Sequence, residues 1–182
     1  MEKQEILELY KKLREEKKET YDRVLPLNEL LVDRWEKASY LKFKDGSSIY
    51  DSAIVLGTVL VGENTWVGPN VLLDGSGDVI KIGDNCNISA GVHIYTHDTV
   101  KACVSGNMKL KQKGSVFIGD NCYIGPKSVL TLGINIGNRS IVATNSFVNK
   151  SFPENSIIGG TPAKRIGEVI IEGNEVFLKY NR

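Results

Sequence analysis

An apolar residue recurs at every sixth position along most of the chain. A β-strand, with its period of two, does not produce this spacing, and neither does an α-helix, with its period of 3.6. A parallel β-helix built from hexapeptides does, because each repeat adds one short strand and one turn and directs its first residue inward. The recurring residues are Phe43, Ile49, Val55, Val61, Val67, Leu73, Ile82, Ile88, Ile94, Ile118, Ile124, Leu130, Ile136, Val142 and Val148.

Three such repeats would form one triangular coil, so the pattern predicts an all-β solenoid of about five coils. The regular spacing is interrupted between Val61 and Ile82 and, at greater length, between Ile82 and Ile118. In both interruptions, the surplus residues fall at the corner that follows the third face of a coil. The coils are expected to begin at Phe43, Val61, Ile82, Ile118 and Ile136.

The flanking segments predict a three-part organisation. Residues 1–40 form a helical segment, with an apolar stripe of Ile6, Leu9, Tyr10 and Leu13 and a second, shorter helix after Pro26. This segment could cover the open edge of the first coil or help to bind substrate. Residues 41–158 form the β-helix, with an excursion at 98–115, and residues 159–182 form a turn followed by a hairpin or an arm laid on a neighbouring subunit.

Composition narrows the functional classes. The chain has 182 residues, 41% hydrophobic and 25% charged, which suits one globular domain, and its formal charge of +1 argues against general nucleic-acid binding. No apolar run approaches the ~18 residues of a membrane span, and the first residues lack the apolar core of a signal peptide. We therefore expect a cytoplasmic protein.

The three cysteines do not have the spacing of a zinc site, and no metal is expected. In the predicted register, Cys86 and Cys122 occupy small core positions on adjacent coils. That proximity would permit a disulfide, but a reduced pair is the interpretation favoured for a cytosolic chain.

The interrupted corner carries the candidate chemistry. Asp74 lies in the first surplus and His97 at the start of the second, so the two are expected to be neighbours on adjacent coils. An imidazole there could act as a general base, or the residue could be structural. Asp98 and Asp74 are rival candidates for orienting it.

Other residues near this corner suggest substrate binding, with a plain surface role as the alternative in each case. The excursion contains Lys101, Lys109, Lys111 and Lys113 and no acidic residue from 99 to 114, which could attract phosphate groups. Trp66 could stack on a sugar ring, or it could pack against the N-terminal helices or another subunit.

Several motifs together resemble the hexapeptide-repeat acyltransferases. They are the Ile-Gly-Asp-Asn turns at 82–85 and 118–121, the Tyr-Thr-His-Asp segment at 95–98 before a long loop, and Gly-Gly-Thr-Pro-Ala-Lys at 159–164. The resemblance covers roughly residues 43–167 and is nearest to the sugar and polysaccharide O-acetyltransferases of the maltose and galactoside group. It implies a left-handed β-helix, a homotrimer with active sites between subunits, and acetyl-CoA as co-substrate.

The resemblance also implies roles for individual residues. His97 falls on the family's catalytic histidine, and Trp66 and Asp74 fall near acceptor-binding positions, to which we add Asp98. Gly68 stands where the maltose and galactoside members carry an acceptor-binding Asn, so a different acceptor is expected. The residues that fall near cofactor-contacting positions are Thr144, Asn149, Lys150 and Lys164.

The resulting hypothesis is direct acetyl transfer from acetyl-CoA to a sugar hydroxyl, with His97 as general base. The alternatives are N-acetylation of a nucleotide-linked amino sugar and a trimeric scaffold or binding module without catalysis. A zinc carbonic anhydrase-like enzyme is disfavoured, because His93 and His97 are the only histidines and cannot supply a three-histidine site within one chain.

Overall fold

The computed structural model describes residues 3–181, so Met1, Glu2 and Arg182 of the predicted terminal segments lie outside the described residues. Its helices are α1 Lys3–Tyr21, α2 Leu27–Leu31, α3 Arg34–Tyr40 and α4 Val100–Ser105, with a 3-10 turn at Met108–Leu110. Its strands are β1 Ser48–Ile49, β2 Ile54–Val61, β3 Trp66–Val67, β4 Leu72–Ile82, β5 Asn87–Ile88, β6 His93–Tyr95, β7 His97–Asp98, β8 Gln112–Lys113, β9 Val116–Ile118, β10 Tyr123–Ile124, β11 Val129–Leu130, β12 Asn135–Ile136, β13 Ile141–Val142, β14 Phe147–Val148, β15 Ser156–Gly160, β16 Ala163–Glu172 and β17 Glu175–Tyr180.

Short parallel strands stack into the faces of a solenoid. On one face Ile88 pairs with Val67 on one side and Ile124 on the other. On the next, Ile94 lies between Leu73 and Leu130. The remaining face, on which each coil begins, aligns Val61, Ile82, Ile118 and Ile136. The predicted parallel stacking and inward register are therefore confirmed, and these side chains are almost wholly buried.

The Ile-Gly-Asp-Asn turns form one corner of the solenoid and hydrogen-bond to the same corner of adjacent coils. The Asp120 carboxylate accepts a hydrogen bond from the backbone N–H of Asp84, and the Asp84 carboxylate accepts one from Glu63. Asn85 and Asn121 adopt the left-handed conformation, with φ of 53° and 57°, which Asn tolerates better than most residues. The motif thus closes each corner and bonds it to its neighbour.

The surplus residues of the first interruption lie within strand β4. Residues 74–78 lie inside β4, which pairs with β2 on both sides of a bulge. Gly57 and Gly75 pair just before the register shifts, and Gly57 has φ of 66°. Beyond the bulge, Val61 and Ile82 resume the core register, so the insertion is confined to the corner.

The N-terminal helices cover the first coil. The prediction of a single helix after Pro26 is wrong, because the helical segment is interrupted at Val32 and forms α2 and α3. Asp33 caps α3 by accepting hydrogen bonds from Trp35 N and Glu36 N. The buried Glu29 carboxylate accepts bonds from the N–H groups of Asp51 and Ser52 and from the Ser52 hydroxyl.

Lys37 provides a second anchor. Its ammonium donates hydrogen bonds to the carbonyls of Tyr50, Asp51 and Ala53 and pairs with the Asp51 carboxylate. A buried carboxylate and a lysine therefore fix the helical segment to one corner of the first coil.

The last coil is followed by antiparallel strands. β15 pairs with β13 in parallel, continuing the first face through Ile158, and then with β16 in an antiparallel manner across the turn at Thr161 and Pro162. β16 and β17 form a hairpin. Whether this hairpin also lies on a neighbouring subunit stays a prediction. Within residues 3–181, no helix has the length and apolarity needed to cross a membrane.

Candidate active site at the interrupted corner

His97 and Asp74 lie together at the predicted corner. β4 pairs with β6 so that Asp74 is the partner of Tyr95, which places the carboxylate one coil away from the base of the excursion. His97 Nδ1 lies 3.8 Å from Asp74 Oδ2 and 3.5 Å from the Ser76 hydroxyl. The His97 side chain is 21% exposed, so it is accessible to a small substrate while its orientation is restricted.

Asp74 is held as a carboxylate. Burial opposes its ionisation and by itself would raise the pKa of Asp74. Hydrogen bonds from the hydroxyl and amide of Ser76, together with the positive charges of His97 and Lys111, outweigh burial and leave the pKa of Asp74 below its ordinary value of 3.8. The corner therefore keeps a negative charge beside the imidazole at neutral pH.

Thr96 organises the backbone under the site. It is fully buried, and its hydroxyl donates to the Asp74 carbonyl at 2.7 Å and accepts from the N–H groups of Gly77 and Asp78 at 3.1 Å. A Cβ on Gly77 would lie 2.6 Å from His97 Cβ and 2.6 Å from the Thr96 carbonyl oxygen. The bulge can approach His97 this closely only because residue 77 is glycine.

Ser76 and Thr96 were missed by sequence reasoning. Thr96 could have been found, because it lies two residues after the inward Ile94 and should point to the same side of the strand. Ser76 had no such signal, since its position depends on the bulge in β4.

Asp98 does not contact the imidazole. Its carboxylate accepts a hydrogen bond from Val100 N at the start of α4, and its backbone pairs with Gln112. His97 pairs with Lys113 in the same short antiparallel ladder, so the excursion leaves and returns beside His97. All four lysines of the excursion are exposed.

Trp66 lies on a different face from His97. It is half-buried in β3, and its ring meets Tyr50 edge to face with a centroid distance of 5.9 Å. The guanidinium carbon of Arg34 lies over the Tyr50 ring, 4.6 Å from its centroid. Within the chain, Trp66 packs against Tyr50, the residue on which Arg34 of α3 stacks.

The predicted cofactor-binding residues occupy two corners. Asn149 and Lys150 directly follow β14, which stacks through β11 on β6, so they lie two coils from His97 along the same corner. Thr144 follows β13 at the preceding corner, and Lys164 lies beside it in β16, opposite Gly159. All four side chains are exposed.

No cluster of three or more metal-ligating side chains is present among residues 3–181. His93 Nδ1 lies 3.1 Å from the Tyr95 hydroxyl, and its ring packs against the Tyr95 ring rather than near His97.

The repeats match a family model described as the hexapeptide repeat of succinyl-transferase over residues 58–96 and 115–150. These segments coincide with the stacked strands on either side of the excursion. The chain therefore contains two runs of the hexapeptide repeat that this model describes.

The chain is 27% identical over 128 residues to galactoside O-acetyltransferase from Escherichia coli K12. The alignment covers 60% of this chain and 63% of that protein. The alignments with the first curated relatives span 54–64% of those proteins' own lengths, less than two thirds.

Two solved structures extend the likeness to the fold. The hexapeptide-repeat protein matches a hexapeptide-repeat-containing acetyltransferase from Vibrio cholerae complexed with acetyl coenzyme A, with a TM-score of 0.67, 24% identity and coverage of 91% and 87% of the two chains. It also matches AntD, an N-acyltransferase from Bacillus cereus in complex with dTDP and 3-hydroxybutyryl-CoA, with a TM-score of 0.63, 22% identity and coverage of 69% and 71%. These likenesses support the predicted left-handed winding of the β-helix.

Proposed function

We propose that the protein is an acetyl-CoA-dependent O-acetyltransferase that acts on a sugar or polysaccharide hydroxyl, with His97 as general base. The observation that carries the proposal is the partly exposed imidazole of His97, which lies at a corner beside Asp74 and Ser76. A base held by a carboxylate on one ring nitrogen has its other nitrogen available for a substrate proton.

In the proposed reaction, Asp74 faces His97 Nδ1 and favours the tautomer with a proton on that nitrogen. His97 Nε2 takes the proton of the acceptor hydroxyl as its oxygen attacks the thioester carbonyl carbon. The new C–O bond forms, the C–S bond breaks, and the proton passes from His97 to the departing sulfur. The negative charge beside the ring stabilises the imidazolium that forms between these two transfers.

The acetyl-CoA site would follow the axis of the solenoid. Asn149 and Lys150 extend from the corner of His97, and an exposed ammonium suits the phosphate groups of CoA. Thr144 and Lys164 lie at another corner of the same chain. A homotrimer that brings that corner of one subunit to the His97 corner of the next would unite the four residues, as the family resemblance implies.

The test is transfer of acetyl from acetyl-CoA to carbohydrate acceptors by the purified protein, followed through release of free CoA thiol. Mass spectrometry and NMR of the product locate the acetyl group. Acceptor-dependent thiol release with an ester product supports the proposal. Failure to bind acetyl-CoA, or to transfer acetyl to any of a panel of mono- and oligosaccharides, would argue for the non-catalytic binding module.

The second candidate is N-acetylation of a nucleotide-linked amino sugar. The fold likeness to an N-acyltransferase that binds dTDP favours it, and the four exposed lysines of the excursion suit a diphosphate. Paired hydroxyl and amino acceptors that differ at one position separate the two reactions, because only the N-acetyl product withstands mild base.

A further inference from the structure

A cavity of about 150 Å³ lies between the end of α1, the α1–α2 connection and the start of α3, beside the first coil. A cavity of this size accommodates a group as large as a benzene ring. None of the residues around His97 contributes to it. Its charged and aromatic lining includes Lys17, Arg23, Glu29, Arg34, Trp35 and Tyr50.

Arg34 is held between two aromatic rings in this lining. Its guanidinium carbon lies 4.9 Å from the Trp35 ring centroid and 4.6 Å from that of Tyr50. Because rings cover the faces of the guanidinium, its N–H donors are directed along its edges. A guanidinium whose orientation is restricted in this way loses little side-chain entropy when it binds a planar or tetrahedral oxyanion.

Among the described residues, the cations of the cavity have no carboxylate in salt-bridge contact. Within residues 3–181, Lys17, Arg23 and Arg34 form no salt bridge with an acidic side chain. Lys17 is half-buried and rests over the Tyr21 ring at 5.0 Å. These three positive charges therefore line one cavity without a salt-bridged counter-ion from residues 3–181.

The two acidic residues of the lining are engaged elsewhere. Glu29 uses both carboxylate oxygens to bind the backbone of Asp51 and Ser52. Asp33 caps α3. Both keep their negative charge, so three cations and two carboxylates give the lining a net charge of +1, and the cavity still favours anions.

We propose that this cavity is a second binding site, separate from the His97 corner, for the phosphate group of a small phosphorylated molecule. Arg34 binds two phosphate oxygens along one edge of its guanidinium, and Lys17 supplies a further positive charge. The same chemistry would accept free phosphate or a phosphate monoester.

Isothermal titration calorimetry on the full chain, at physiological salt, tests the site with inorganic phosphate, glucose 6-phosphate and glucose. We expect saturable binding of the phosphate-bearing probes with a dissociation constant of about 1 mM or less, and none of glucose. Tighter binding of glucose 6-phosphate than of phosphate identifies an ester as the ligand, and equal binding identifies the free ion.

Arg34→Gln should weaken both interactions at least about tenfold and Lys17→Gln about threefold, as expected for loss of charge-assisted hydrogen bonds. Arg14→Gln is the matched control, because Arg14 also stacks on a ring, that of Tyr10, but lies outside the cavity. It should bind like the parent protein. If Arg34→Gln fails to fold, Lys17→Gln on the exposed helix decides the question.

The proposal is overturned if neither phosphate-bearing probe binds up to about 10 mM. Unchanged affinity in folded Arg34→Gln, or in Lys17→Gln where only that variant folds, also overturns it. Acetyl transfer is not needed for any of these measurements.

Discussion

The Nδ1 atom of His97 lies 3.8 Å from Oδ2 of Asp74, and the two side chains come from adjacent coils. Asp98, the immediate neighbour of His97 in sequence, instead binds the backbone at the start of α4. The carboxylate beside the imidazole is therefore supplied by stacking of coils and not by sequence adjacency.

Replacing His97 by Ala should lower kcat for acetyl transfer by about 10²- to 10⁴-fold, because the reaction loses its general base. Steady-state kinetics measure the loss, and calorimetric binding of acetyl-CoA should change little. His93→Ala is the matched control, since His93 contacts Tyr95 and not His97. Near-normal turnover in the His97 variant would refute the assignment.

Asp74→Asn should remove a pH-dependent part of the stability. The pKa of Asp74 is lowered in the folded protein, so its ionised form stabilises the fold above pH 3.8, the ordinary value. As the pH falls, the unfolded chain binds a proton first, and the contribution is lost as the pH passes down through the folded-state pKa. The difference in unfolding free energy between the parent and Asp74→Asn should therefore shrink below pH 3.8.

Denaturant unfolding at a series of pH values measures this difference. Asp98→Asn, which removes a carboxylate from the same corner, controls for the loss of one negative charge. A gap between parent and Asp74→Asn that is constant from pH 7 to well below 3.8 would contradict the prediction.

Gly77→Ala should displace His97, because the added methyl group would lie 2.6 Å from its Cβ. We expect a loss of about 1–3 kcal/mol in stability, typical of overpacking, together with a large drop in kcat. Gly106→Ala provides the comparison. Its Cβ would meet open space, but its φ is 68°, so it should cost about 1 kcal/mol of stability and leave turnover unchanged. Equal turnover in the two variants would show that residue 77 does not position the imidazole.

Glu29→Ala should destabilise the protein by about 2–4 kcal/mol, because the N–H groups of Asp51 and Ser52 would lose a buried charged acceptor. Thermal unfolding measures the loss. Glu36→Ala, on the exposed side of α3, should change stability by less than about 0.5 kcal/mol. Similar melting temperatures for both variants would mean that Glu29 does not anchor the helical segment.

The hydrophobic period predicted the parallel stacking, because each inward residue has one position in a coil and must meet its counterpart in the next. The stack of Leu73, Ile94 and Leu130 follows directly from the spacing of six and the two surpluses. The helix break at Val32 was not predictable from apolar spacing alone, since Leu30 and Leu31 continue the stripe; the signal is Asp33, which starts a new helix as the N-cap of α3.

At the site, the proximity of His97 and Asp74 was predictable because both surpluses fall at one corner. The position of Ser76 was not, because an insertion can form either a loop or a bulge, and here pairing with β2 selects the bulge. Trp66 illustrates another limit. Its place on the outer surface follows from the period, but its partner Tyr50 becomes visible only when the helices are in place.

The bulge at Gly57 and Gly75 leaves the register of Val61 and Ile82 intact, so the three-sided frame tolerates a change of length at that corner without repacking its interior. Changes in the length of this corner can alter what meets the imidazole while the core register of Val61 and Ile82 is kept. Such a scaffold can change its acceptor, in evolution or by engineering, through sequence changes at this one corner.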